Sequence, residues 1–286
     1  MDNFFSHILM PISIAFIMFG IGINLNFAEF KNTFRKPKAV ITGLVAQMLM
    51  LPAIAFVINL FLDIDPIYKV GLIVIAACPG GTTSNIVTLF LKGRLALSVT
   101  LTAFNSFLIL FTIPLVTNLA LSLYEGLETN IQLPVLETVG NMILTVLAPV
   151  LVGMLYNFYF PVFASRSKKA VNISMLMFLL FVFIGIFVFE KIGRARFSDY
   201  LFLLIPTLSL NIFSTFAGFL LARIAGIRNR GRFTIAIQVG LQNSALAIYV
   251  AAKLLSQPEM AVVAIIYSSF SLFTTSLLAF IMKKYL

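Results

Sequence analysis

Apolar runs long enough for a helix to cross a lipid bilayer follow one another along almost the whole chain. They fall at roughly 4–25, 38–62, 67–91, 95–123, 134–158, 170–190, 199–222, 232–254 and 259–281. None shows the strict alternation of a barrel strand, and lipid tolerates only helices or closed barrels. The pattern therefore predicts an all-α polytopic membrane protein with nine transmembrane helices. Composition leads the same way: with 60% hydrophobic and 10% charged residues, the 286-residue chain has too little polar surface to coat a soluble globule. It also leaves no room for a sizeable further domain. Trp is absent, so Tyr and Phe must supply any interfacial belt. The first run opens Met-Asp-Asn with no basic region and no small-residue cleavage site, which reads as a retained helix. His7 reads as interfacial. Cys78 is the single cysteine, which excludes an internal disulfide.

The net charge of +10 acquires a meaning once each charge is assigned to a connection. Lys31, Arg35, Lys36, Lys38, Lys92, Arg94, Arg166, Lys168, Lys169, Arg223, Arg228, Arg230, Arg232, Lys283 and Lys284 fall at alternate ends of the runs, accompanied by one acid, Glu29. The other nine acids fall at the opposite ends. By the positive-inside rule the basic ends are cytoplasmic, which places the N-terminus outside and the C-terminus inside. Short basic loops against a membrane surface imply lipid contact and no nucleic-acid partner; nothing implies a protein partner. A bacterial inner (plasma) membrane is the expected location.

Two runs are interrupted by polar residues. The third, about 67–91, reads Ile75-Ala-Ala-Cys-Pro-Gly-Gly-Thr-Thr-Ser-Asn-Ile86. Pro79 removes a backbone donor and clashes with the preceding turn, and Gly80 and Gly81 lower the cost of unwinding. A Pro kink would account for the helix breaker but not for the polar quartet Thr82, Thr83, Ser84 and Asn85 that follows it. The eighth run, about 232–254, contains Gln238-Val-Gly-Leu-Gln-Asn-Ser-Ala-Leu246. Its competing reading is a set of interhelical hydrogen bonds. Together the two interruptions lie five runs apart, so their helices cross in opposite directions, the arrangement of an inverted repeat with two discontinuous helices meeting at the midplane. The expected repeats span about 1–123 and 134–286, the first lacking its leading helix. Gln47, Ser98 and Thr102 are further polar residues in mid-run, where each also has the commoner option of bonding a carbonyl of its own helix.

The string Cys78-Pro-Gly-Gly-Thr-Thr-Ser-Asn85 with the later Val239-Gly-Leu-Gln-Asn-Ser244 resembles the bile acid:sodium symporter family, including bacterial homologues of the apical sodium-dependent bile acid transporter. Phe19-Gly20-Ile21-Gly22, Gln47, Leu91-Lys92-Gly93 and Ala96-Leu97-Ser98 also fall where that family's pattern places them. The resemblance implies a panel domain and a core domain, with two crossed broken helices in the core. It further implies two sodium sites: one on Ser84, Asn85, Ser98, Thr102 and Gln238, the other on Gln47, Gln238, Val239, Leu241 and Gln242. An organic anion would lie near Thr82, Thr83 and Asn243, where helix N-termini suit a carboxylate. At position 238 the family pattern has Glu, whereas this chain has Gln. Every acid of the chain sits in a connection or at a terminus, so the transport core carries no carboxylate. The missing charge leaves open weak sodium binding, a different coupling or an engineered substitution. It excludes proton coupling through this residue, because an amide does not titrate.

The expected function is sodium-coupled uptake of a bile acid-like or small carboxylate anion by alternating access. A passive channel framed by the same broken helices is the alternative. An enzyme is not expected, because the core offers no paired acid, metal-ligand cluster or activated nucleophile.

Overall fold

The computed structural model describes residues 8–25, 37–124, 135–189 and 197–285. Among them every regular element is helical. Helix α1 is Met10–Asn24 and α2 is Pro37–Leu60. Helices α3, Pro66–Ala77, and α4, Thr82–Phe90, share one apolar run, and α5 is Leu95–Tyr124. Helix α6 comprises Val135–Met142, Ile143–Leu147 and Ala148–Tyr159, followed by α7, Pro161–Phe189, and α8, Phe197–Ile224. The chain closes with α9, Asn229–Gly240, α10, Ser244–Leu254, and α11, Pro258–Tyr285. Five stretches are long and apolar enough to cross a membrane: Pro37–Leu60, Leu95–Tyr124, Thr138–Tyr159, Leu201–Ile224 and Pro258–Tyr285. Shorter apolar helices are Met10–Asn24, Pro66–Ala77 and Ser244–Leu254.

Side chains are sorted for lipid. Large apolar residues such as Phe61, Leu115, Leu144, Phe213 and Phe273 are exposed, while Ser98, Asn105, Thr117, Asn211, Ser214, Thr215 and Thr275 are completely or almost completely buried. A water-soluble fold would expose the second set and bury the first. Among the described residues no charged side chain is buried. His7 and the segments carrying Glu29, Lys31, Glu125 and Lys191 lie outside the described residues. Arg166, Lys168 and Lys169 stand on the first turns of α7 rather than in a loop, because α7 begins nine residues before the apolar run and only Phe160 separates it from α6.

Two helices accommodate proline by widening. In α2 the turn Ala46–Met50 is a π-turn, followed directly by Leu51-Pro52; in α6 the π-turn Ile143–Leu147 is followed by Ala148-Pro149. A proline ring collides with the carbonyl four residues earlier, here Met48 and Thr145, and both carbonyls lie inside the wide turn. The helix thus passes its proline without breaking.

Helix α1 packs chiefly on α6 and α7, whereas α2, α3, α5, α8, α9, α10 and α11 pack mainly among themselves. The α1–α6 contact is a backbone approach at Gly22 and Gly153. A Cβ on Gly22 would enter the Val150 carbonyl, and one on Gly153 would enter the Phe19 carbonyl. Polar ties reinforce one end: Asn157 donates to Leu25 O at 2.8 Å, and Asn24 donates to Asn172 Oδ1 at 3.0 Å. Small residues at such a crossing let dispersion contacts form where lipid supplies no hydrophobic drive. Gly153→Leu should separate α1 from α6 and destabilise the protein by about 1–3 kcal/mol. The check is thermal exposure of the buried Cys78 thiol to a fluorogenic maleimide in detergent; an unchanged midpoint would show that the approach is not required.

Candidate functional site

The apolar run of α3 and α4 stops being helical where its sequence demands it. Cys78 has φ −72° and ψ 154°, the extended conformation forced on a residue preceding proline. Gly81 is also extended, at φ −80° and ψ 170°, and Thr82 opens α4. The second interruption holds Leu241 at φ −112°, ψ 92° and Asn243 at φ −79°, ψ 84° between α9 and α10. The two unwound segments run antiparallel across one another, pairing Gly80 with Gln242. Gly81 N donates to Leu241 O at 3.0 Å, and Asn243 N donates to Pro79 O at 2.8 Å. Each segment thereby satisfies backbone groups that the other's break has freed, at a depth where lipid offers no substitute. Gly80 suits the close approach: a Cβ there would lie 3.0 Å from both the backbone and the side-chain oxygen of Gln238, a tight contact.

Around this crossing the side chains singled out in the sequence fall into two groups. On the α5 side, Gln238 Nε2 donates to Ser98 O at 3.0 Å and to Thr102 Oγ1 at 2.7 Å. Thr102 Oγ1 donates to Ser98 O at 3.1 Å, and Ser98 Oγ accepts from Thr88 Oγ1 at 3.3 Å. Ser84 Oγ turns back to Gly81 O at 2.6 Å. The amide oxygens of Gln238 and Asn85 are buried and have no hydrogen-bond partner.

On the α2 side, Gln47 projects into the crossing. Its amide lies 2.7 Å from Gln242 Oε1 and 3.3 Å from Cys78 O. Turned end for end, the same amide donates to Gln238 O at 3.1 Å and accepts from Gly80 N at 3.2 Å. The second orientation gives the Gln47 oxygen a donor but sets it 2.7 Å from Gln242 Oε1, so the orientations of the two amides are coupled. Gln242 Nε2 donates to Val239 O at 2.5 Å. Leu241 contributes only its backbone carbonyl, which Gly81 N already engages.

The N-termini of α4 and α10 both open at the crossing. Asn243 caps α10, its Oδ1 accepting from Leu246 N at 3.1 Å, and its side chain is 7% exposed. Thr83 is exposed. The side chain of Thr82 lies outside the described set. The structure thus brings Ser98, Thr102 and Gln238 into direct contact, and Gln47 against Gln242 beside Val239. It keeps Ser84 bonded within its own turn.

One constellation escapes the sequence reading. The carbonyl of Gly240, the last residue of α9, receives three donors: Asn211 Nδ2 at 2.8 Å, Tyr267 Oη at 2.7 Å and Thr275 Oγ1 at 3.2 Å. Thr274 Oγ1 donates to Asn211 Oδ1 at 2.6 Å, and Asn211 Nδ2 also reaches Thr275 Oγ1 at 2.9 Å. Asn211 and Tyr267 are both fully buried. A carbonyl at a buried helix C-terminus has lost its intrahelical partner, and this cluster from α8 and α11 supplies replacements. It fixes the end of α9 and, with it, the direction in which Gln238 and Val239 face. The only signals in the sequence are one Asn and one Tyr inside apolar runs.

These features define a polytopic α-helical membrane protein whose polar interior is organised around two crossed, interrupted helices. A profile of the sodium bile acid symporter family matches residues 11–194, and the chain belongs to that family. It is 32% identical over 257 residues to the probable sodium/metabolite cotransporter BASS1, chloroplastic, of Oryza sativa subsp. japonica, covering 88% of this chain and 60% of the relative. The uncharacterized sodium-dependent transporter YocS of Bacillus subtilis (strain 168) is 31% identical over 275 residues, covering 94% of this chain and 81% of YocS. The human ileal sodium/bile acid cotransporter is 28% identical over 269 residues, covering 92% and 75%. The chain spans about three fifths of the length of the plant chloroplast relatives.

Removing one donor from the Gly240 clamp has a graded cost. Tyr267→Phe should destabilise by about 1 kcal/mol, and Asn211→Leu by about 2–3 kcal/mol, because it removes the bonds to Gly240 O, Thr274 and Thr275 together. Thermal unfolding of the two variants checks this, and equal losses would show that the three donors do not act as one cluster.

Proposed function

We propose that the protein is a secondary active transporter that takes up an organic anion with sodium. The observation that carries this reading is the crossing itself: two half-helix N-termini and several uncharged oxygens converge there. Free N–H groups and the positive dipole ends of α4 and α10 favour a carboxylate, with Thr82, Thr83 and Asn243 beside it. Oxygen-only ligands suit a hard monovalent cation. The α2-side set fits one: Val239 O, Leu241 O and Gln238 O are carbonyls, Gln242 already presents Oε1 toward Gln47, and the Gln47 amide can present oxygen by turning end for end. That set is the coupling site in this reading.

The names of the relatives support sodium cotransport and include both metabolite and bile acid cotransporters. The anion is accordingly a bile acid-like molecule or a smaller carboxylate. Two amides from helices preceding the breaks, Gln47 on α2 and Asn211 on α8, each reach the end of an interrupted helix, which supports an inverted repeat of about 1–123 and 134–286 and nine spans. In this reading α1, α6 and α7 form the panel, the other helices form the core, and relative motion of the two exposes the crossing alternately to each side. The Bacillus relative and the placement of the basic residues favour a plasma-membrane protein with its C-terminus in the cytoplasm.

In proteoliposomes, an inward sodium gradient should concentrate a labelled bile salt or small carboxylate above the external level, and a potassium gradient should not. Flux that only equilibrates would favour the channel reading instead. Thr83→Val should weaken binding of the accumulated anion by about fivefold, the loss of one hydrogen bond, without lowering the thermal midpoint. Unaltered affinity would remove Thr83 from the anion site.

A further inference from the structure

We infer that Gln238 fills the α5-side oxygen set with its own amide nitrogen, so that this chain takes up no cation there. The inference deepens the sodium-coupled reading above and concerns how many ions that coupling involves.

The orientation of the Gln238 amide is fixed by its neighbours. Ser98 O is a carbonyl and only accepts, and it stands 3.0 Å from Nε2. Thr102 Oγ1, 2.7 Å away, has already committed its proton to Ser98 O at 3.1 Å. Toward this amide both atoms therefore act as acceptors, and an NH2 group has two N–H bonds to give. Reversing the amide would set oxygen against oxygen at Ser98. The oxygen end faces the other way, buried without a partner against the bare Cα of Gly80.

The same positions have a different electrostatic meaning with a carboxylate at 238. Its oxygen would face Ser98 O, two acceptors at contact distance inside a membrane protein, and a cation or a proton between them would relieve the contact. The amide supplies positive hydrogens at that place, tethered and always present. Of the rest of the set only the Asn85 amide oxygen stands buried and unpartnered, a single neutral oxygen. Ser84 is turned to Gly81 O, Ser98 Oγ is engaged by Thr88, and no buried carboxylate occurs among the described residues. A sodium ion entering here would have to evict the NH2 group from both acceptors while gaining no negative charge. The α2-side set differs on this point, because Gln242 already turns its oxygen toward Gln47, and the Gln47 amide has alternative partners at either end.

The test is equilibrium binding of radioactive sodium to the purified protein in detergent, which needs no knowledge of the substrate. The parent chain should hold one ion at saturation, with simple hyperbolic binding. Gln238→Glu should hold one more, with cooperative binding. Two ions on the parent chain, or the same number on both proteins, would overturn the inference. None on the parent and one on the variant would uphold it while removing the sodium-coupled reading, so the two failures are distinguishable. Should Gln238→Glu not fold, the parent count decides alone: two ions overturn the inference, and one or none sustains it.

Discussion

Breaking a helix inside a membrane strands backbone groups that neither water nor lipid can satisfy. The rest of this structure follows from how that debt is met. Gly81 with Leu241 and Asn243 with Pro79 form a two-bond ladder between the unwound segments. The ladder satisfies the middle of each break and leaves the helix ends. Gln47 on α2 serves the first crossing strand, and the Asn211, Tyr267 and Thr275 cluster serves the carbonyl of Gly240. Polar side chains are thus drawn inward at the crossing because the backbone there requires partners. The same demand concentrates oxygens and helix N-termini at one point, which is the raw material of an ion and anion site.

The core achieves this with no buried charge among its described residues. A neutral interior avoids the desolvation cost of isolated ions, but it also leaves any bound cation without a fixed counter-charge. In the transporter reading proposed above, an anionic substrate is the natural complement of such an ion. Amides suit such a site because they carry both a donor and an acceptor and can exchange the two by rotation.

How much of this was legible in the sequence depended on whether the signal was local. Pro79-Gly80-Gly81 followed by four polar residues marks the first break, since proline chemistry acts on adjacent residues. Gln238 to Ser244 mark the second by being polar in a run that is otherwise apolar. Other features carry no local signal. Asn211 lies 29 residues from Gly240 and Tyr267 lies 27, so no spacing rule connects them. A buried Tyr in an apolar run also reads naturally as part of an interfacial belt. The start of α7 is illegible for a different reason: an apolar run marks hydropathy, whereas the helix continues upstream of it through Arg166, Lys168 and Lys169. Amide orientation at Gln238 is a further property of assembly, decided by a carbonyl 140 positions away.

The ladder at the crossing has a mechanical consequence. Two hydrogen bonds and the Gly80 contact tie the ends of α3, α4, α9 and α10 together, so none of these four half-helices has an independent degree of freedom near its broken end. A displacement that began in one would be transmitted to the other three, and the crossing would travel as a knot. Flexibility in this fold therefore belongs to its outskirts, where α10 meets α1 and α5 meets α6, and the place with the least regular backbone is among the least free to move.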